Sequence, residues 1–194
     1  MLIHDISLDK LHAVFCVDRA GLVGADGQTH HGCFDPAYLT QIPGMTVLCP
    51  ASFAELRDML RYAICQVSGP VAIRYPRGGE RDYTAASDPE RCYITLRDGA
   101  DFTFLSYGIL INEALKAAEL LAEKGISVRV IKLNRIAPLS EADVASMLSG
   151  TRRLLVLEDC IAAGCVGDKG TCLAALSGVR LDKLVLKNCG DRLP

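Results

Sequence analysis

Seven short apolar runs, most of them rich in β-branched residues, punctuate this chain: 13–17, 45–49, 71–75, 102–107, 127–133, 153–158 and 184–187. Between most of them lie stretches with helical spacing. Strands that alternate with amphipathic helices fold as parallel, doubly wound sheets with right-handed crossovers. The expected fold class is therefore α/β, with two such sheet units. The first unit shows only three strands and two secure helices, and a parallel sheet needs both faces covered. It is expected to be incomplete at its N-terminus.

The chain is 50% hydrophobic with a net charge of −2, enough for a substantial core. Neither half is a basic nucleic-acid arm or an acidic tail. No apolar run is long enough to span a bilayer, and the opening MLIHDISLDK lacks a signal core. Nine cysteines are scattered with no C-x-x-C. Cys160, Cys165, Cys172 and Cys189 lie far in sequence from every histidine, so no metal site is expected. The thiols read as small buried hydrophobes in a reducing cytoplasm.

Leu2–Leu8 resembles a helix end, and Pro36–Gln41 a short helix capped by Asp35 with proline at its first position. Ser52-Phe-Ala-Glu55 is a capping-box pattern that opens a helix to about Cys65. Phe53, Leu56, Leu60 and Ile64 form its apolar stripe. The polar segment 81–99 lacks periodicity and reads as a linker between a first unit, 1–80, and a second, 100–194. In the second unit a helix ends at Gly125, Ser140 and Asp143 are spaced as a cap pair, and Asp168–Leu176 looks helical.

The run at 13–17, read as a buried strand, feeds DRAGLVGADGQTHHGCFD, residues 18–35. A loop this long is uncommon unless it binds something. In a parallel sheet the carboxyl ends of strands lie on one edge, where ligands sit. Three such ends bring Arg19, Asp26, His30 and Arg77 together. Each alone has a bland reading: a loop histidine, a turn aspartate, solvated arginines at a strand end. Adjacent His30 and His31 point opposite ways on an extended backbone, and His31 receives no role. Glu158-Asp159 with the small-residue loop 162–167 reads mainly as packing or interface.

The 18–35 stretch, with Ile42-Pro-Gly-Met45, Pro50-Ala-Ser52, Glu55–Leu60 and Gly69-Pro-Val-Ala-Ile-Arg-Tyr-Pro-Arg-Gly78, resembles the transketolase-like, thiamine-diphosphate-dependent family. Within it, the likeness is to the 1-deoxy-D-xylulose-5-phosphate synthase branch. Gly108, the Lys132–Leu139 turn, Glu158-Asp159 and Asn188-Cys-Gly-Asp191 extend it through the second half. The resemblance implies the later part of a pyrimidine-binding domain followed by most of a C-terminal domain. It also implies condensation of pyruvate with glyceraldehyde 3-phosphate and loss of CO2, in isoprenoid, thiamine and pyridoxal biosynthesis.

By motif position the resemblance makes His30 catalytic, handling a proton at the reacting oxygen beside the cofactor. It makes Asp26 catalytic too, at the substrate hydroxyl end. Arg19 and Arg77 become a clamp for the aldehyde's phosphate. Thiamine diphosphate, Mg2+ and a homodimer are implied for the complete enzyme. The glutamate that activates the aminopyrimidine, and the G-D-G…N motif for diphosphate and magnesium, are expected outside this chain. Asp26-Gly27 does not supply that motif, because the first asparagine is Asn112. The chain alone is expected to be inactive. Two rival readings are one component of a two-chain thiamine enzyme and a non-catalytic dimerising module.

Overall fold

The computed structural model describes residues 1–85 and 88–191. It is mixed α/β with two sheets dominated by parallel pairing. A six-residue π-type turn, Leu2–Ser7, leads into β1 (Val14–Val17). The glycine loop, α1 (Asp35–Leu39), β2 (Thr46–Leu48), α2 (Phe53–Cys65) and β3 (Val71–Arg74) complete the first unit. The second contains β4 (Tyr93–Arg97), β5 (Phe102–Tyr107), α3 (Ile111–Ala122), β6 (Val128–Leu133) and β7 (Arg135–Ala137). It continues through α4 (Glu141–Met147), β8 (Arg153–Leu157), α5 (Val166–Leu176) and β9 (Lys183–Lys187).

The first sheet runs β1-β3-β2-β7 and the second β4-β6-β5-β8-β9. Three features depart from the sequence reading. The stretch read as a linker, 81–99, contains β4, which pairs antiparallel with β6 at the sheet edge; residues 86–87 of that stretch lie outside the described residues. The turn after Lys132 contains β7, which leaves the second unit and pairs antiparallel with β2 of the first. β4 is embedded in polar sequence on both sides, and β7 has only three residues, too few to show a period. The run at 13–17 is an edge strand with Cys16 exposed, paired only to β3.

Because β7 crosses over, one apolar core is continuous through both units. It joins Leu39, Met45, Val47 and Ala72 to Ile131, Leu133, Ile136, Val144 and Val156. On the second sheet, Ile111, Ala114 and Ala118 of α3 pack against Phe104, Val128 and Val130. Under α2, Met59 and Ala63 meet Leu48, Val71 and Ile73.

The face of α2 differs from the expected stripe. Glu55, Met59 and Ala63 are its buried residues, while Phe53 is 59% and Ile64 58% exposed. Ser52 caps the helix by accepting the Glu55 N–H at 3.0 Å. The Glu55 carboxylate turns inward instead of closing the box. It accepts from the Ala51 N–H at 2.8 Å and the Tyr83 hydroxyl at 2.7 Å, and it pairs with Lys132 at 2.9 Å. Leu56 and Leu60 of the expected stripe are partly buried against the core under α2, so the buried face overlaps the expected one in part. Ser140 and Asp143 form the expected complete capping box of α4.

The Lys132–Glu55 pair joins the units with both side chains fully buried. Lys132 also donates to Asn134 Oδ1 at 2.8 Å. Burial pushes its ammonium pKa down, and the Glu55 carboxylate opposes that shift. Removing one partner of such a pair strands a charge in the core and costs roughly 3–5 kcal/mol. Lys132→Met is therefore expected to lower the urea midpoint sharply, and adding Glu55→Gln should recover much of the loss. Equal midpoints for the single and double variants would contradict the pairing.

Thiol reactivity offers an independent check. Cys16, Cys65 and Cys172 are exposed. Burial pushes Cys33 and Cys49 up to about 12, and Cys92 and Cys165 up to about 11. A thiol held protonated is a poor nucleophile. Native protein at neutral pH should label quickly at the three exposed cysteines, and at these four only after denaturation. Rapid native labelling of Cys33 would contradict the fold.

Candidate anion-binding site

β1 and β3 are parallel neighbours, with Val17 in register with Arg74. Their carboxyl ends therefore emerge side by side, carrying Arg19 and Arg77. The loop between β1 and α1 folds back over both. Gly32 donates to the carbonyls of Arg19 (3.1 Å) and Gly21 (2.9 Å), and Gly21 donates to that of Gly32 (2.9 Å). Gly32 has no room for a side chain, since a Cβ there would lie 2.2 Å from the Arg19 carbonyl oxygen. Ala20 donates to the Tyr75 carbonyl at 3.0 Å, tying the loop to the end of β3. Arg19 sits at φ +58°, a region an L-residue occupies only under external constraint.

Asp26 is the hub of this edge. Arg19 Nε donates to its Oδ2 at 2.8 Å, and Arg77 Nη1 donates to its Oδ1. Arg19 Nη1 also reaches Asp18 at 2.7 Å. Two guanidinium charges thus face two carboxylates at the surface, with the arginine side chains 41% and 50% exposed. Exposed ion pairs are worth about 0–1 kcal/mol, so an incoming dianion can compete for these arginines.

His30 lies at the end of a single 3-10 turn, Gln28–His30, in the same loop. Its ring Nδ1 is 2.9 Å from the Thr29 hydroxyl, and its backbone N–H donates to Gly27. The contacts of the described residues bring Arg19, Asp26 and Arg77 together; His30 shares their loop without bonding to them. His31 is structural, because its Nδ1 accepts the Val23 N–H at 2.8 Å and the proton must sit on Nε2. Among the described residues, no group of three His, Cys, Asp or Glu side chains could hold a metal ion. No described helix is long and apolar enough to cross a membrane.

Arg74, three residues before Arg77, behaves in the opposite way. It is fully buried rather than a solvated arginine at a strand end. Its Nε donates to Asp35 Oδ2 at 2.6 Å, its Nη1 to Asp159 Oδ1 at 2.8 Å, and its Nη2 to the Gly32 carbonyl at 3.1 Å. The Tyr107 ring lies 5.5 Å from the guanidinium carbon. Asp35 therefore serves as an ion-pair partner and does not cap α1, whose cap position is Phe34.

β5 and β8 are neighbours at the point where the second sheet's strand order reverses, the usual ligand crevice of an open sheet. Here Arg74 of the first unit lies against both Tyr107 and Asp159, at the ends of those strands. Next to it, Glu158 accepts the N–H groups of Val166 and Gly167, both at 2.9 Å, and the Tyr107 hydroxyl at 3.1 Å. Glu158-Asp159 is thus packing machinery. Only a lone acidic pair after a strand hinted at it, and nothing in sequence pairs Arg74 with Asp35 and Asp159.

Comparison with known proteins agrees with this architecture. Residues 1–81 match the pyrimidine-binding domain of transketolase, and residues 93–177 match the transketolase C-terminal domain. The 1-deoxy-D-xylulose-5-phosphate synthase of Chlorobium luteolum is 40% identical over 164 residues, 81% of this chain and 26% of that protein. The same enzyme from Clostridium kluyveri is 43% identical over 169 residues, 86% of this chain and 27% of that protein. The chain thus spans about a quarter of the length of these curated relatives. A solved structure described as a split gene transketolase, inactive β4 tetramer, superposes with a TM-score of 0.85 at 25% identity. That match covers 99% of this chain and 62% of the other. With both of its units matched in order, the chain belongs to the transketolase-like, thiamine-diphosphate-dependent family.

Proposed function

We propose that this chain forms the acceptor-phosphate side of a 1-deoxy-D-xylulose-5-phosphate synthase, in which pyruvate and glyceraldehyde 3-phosphate condense with loss of CO2. The observation that carries this reading is the convergence of Arg19 and Arg77 on one carboxylate at the rim of a parallel sheet. Their forked, permanently charged donors suit a phosphate dianion, and their exposure leaves them free to exchange partners. On phosphate binding the arginines leave Asp26, whose carboxylate then faces the aldehyde's hydroxyl end. His30 is the proton-handling group on the same loop.

When bound, thiamine diphosphate supplies the carbon nucleophile and electron sink that pyruvate decarboxylation requires. The residues of this chain fit the acceptor half of that site. They do not fit a diphosphate-and-magnesium grip, because the first asparagine after Asp26-Gly27 is Asn112. In this reading a complete active site takes those groups from outside the described residues.

The likeness to a split gene transketolase, covering nearly all of this chain, favours a second reading of the same site. In it a separate polypeptide supplies the cofactor-gripping half. The two readings share the clamp and differ in whether mixing with a separately expressed upstream half restores activity.

Two substitutions test the clamp in an assembly rebuilt with that half. Arg77→Ala removes a charge-assisted contact worth about 1.5–3 kcal/mol. It should raise the KM for glyceraldehyde 3-phosphate by at least about tenfold and leave that for pyruvate unchanged. An unaltered aldehyde KM would remove the clamp. His30→Ala should lower kcat by about a hundredfold or more, with cofactor affinity retained. Wild-type turnover would remove the proton-handling role.

A further inference from the structure

We infer that Asp159, in the second unit, is a positioning residue for the anion loop of the first unit. The inference rests on the clamp reading above. Asp159 acts on the loop in two ways. Its carboxylate packs against Gly21 so closely that a Cβ there would come within 2.5 Å of Oδ2. It also pairs with Arg74 Nη1, whose other terminal nitrogen holds the Gly32 carbonyl.

Gly21 and Gly32 bond to each other, and Gly32 bonds to the Arg19 carbonyl. They therefore frame the residue that presents the guanidinium. Arg19 keeps its left-handed backbone because this frame holds it. A further bond between the units, from the Ile161 N–H to the Cys33 carbonyl at 3.0 Å, closes the loop's far side. The clamp's geometry is thus set from the second unit. The second buried pair, Lys132–Glu55, also joins the units but bonds to Ala51, Tyr83 and Asn134 and not to the loop, so it supplies the control.

The test uses the 194-residue chain, with amide hydrogen exchange and calorimetric titration of glycerol 3-phosphate. Asp159→Asn removes the charge at nearly constant volume. Asp159→Glu keeps a charge for Arg74 but crowds Gly21, so it remains informative if the first variant fails to fold. Both should raise exchange at the Gly21 and Gly32 amides about tenfold or more over wild type. Both should weaken glycerol 3-phosphate at least about tenfold, as displacement of a binding group requires.

Glu55→Gln should lower the thermal midpoint while leaving both readouts near wild type, a separation that a merely structural role for Asp159 would not give. Unchanged exchange in Asp159→Glu, or an equal rise at the same two amides in Glu55→Gln, would overturn the inference. If the wild-type chain takes up no glycerol 3-phosphate, the clamp reading fails, and the exchange rates still decide whether Asp159 positions the loop.

Discussion

A guanidinium cut off from water needs an anion or a carbonyl on each of its donor faces, and Arg74 finds them on three separate segments. Asp35 comes from the first helix, Gly32 from the glycine loop, and Asp159 from the second unit. Removing any one would leave a buried guanidinium donor without an acceptor, so the three segments are held to a common geometry. The order of the site follows from this junction. The buried arginine organises the edge, and the exposed arginines on the same edge stay available for a ligand.

The contrast between Arg74 and Arg77 shows how a sheet edge divides labour. Arg74 closes β3, where every residue is buried, while Arg77 lies beyond Tyr75-Pro76 and is half exposed. Ion-pair energy depends steeply on exposure, so the first pair is structural and the second exchangeable. The same division separates the histidines: His31 is committed to a backbone N–H, and among the described residues the His30 ring bonds only its neighbour's hydroxyl.

Much of this was legible in sequence, for identifiable reasons. The apolar runs that became β2, β3, β5, β6 and β8 are largely buried and so nearly continuous, β9 shows as a short apolar run between lysines, and the Ser140/Asp143 cap is a strictly local signal. The loop stood out because its glycines and charged residues follow a strand directly. β4 was hidden inside the polar segment around it, and β7 because only Asn134 separates it from β6. The buried face of α2 was misread because Glu55 answers to Lys132 and Tyr83, partners remote in the chain. Motif position singled out Arg77, but the burial of Arg74 rests on partners from α1 and the second unit and is a property of the assembled sheet.

The central claim is that phosphate recognition belongs to the two exposed arginines and not to the buried one. The arginine Nε–H resonances in a 15N spectrum report it directly during titration with glyceraldehyde 3-phosphate. The signals of Arg19 and Arg77 should shift together along one binding curve, while that of Arg74 holds still. Movement of Arg74 with the other two stationary would contradict the account.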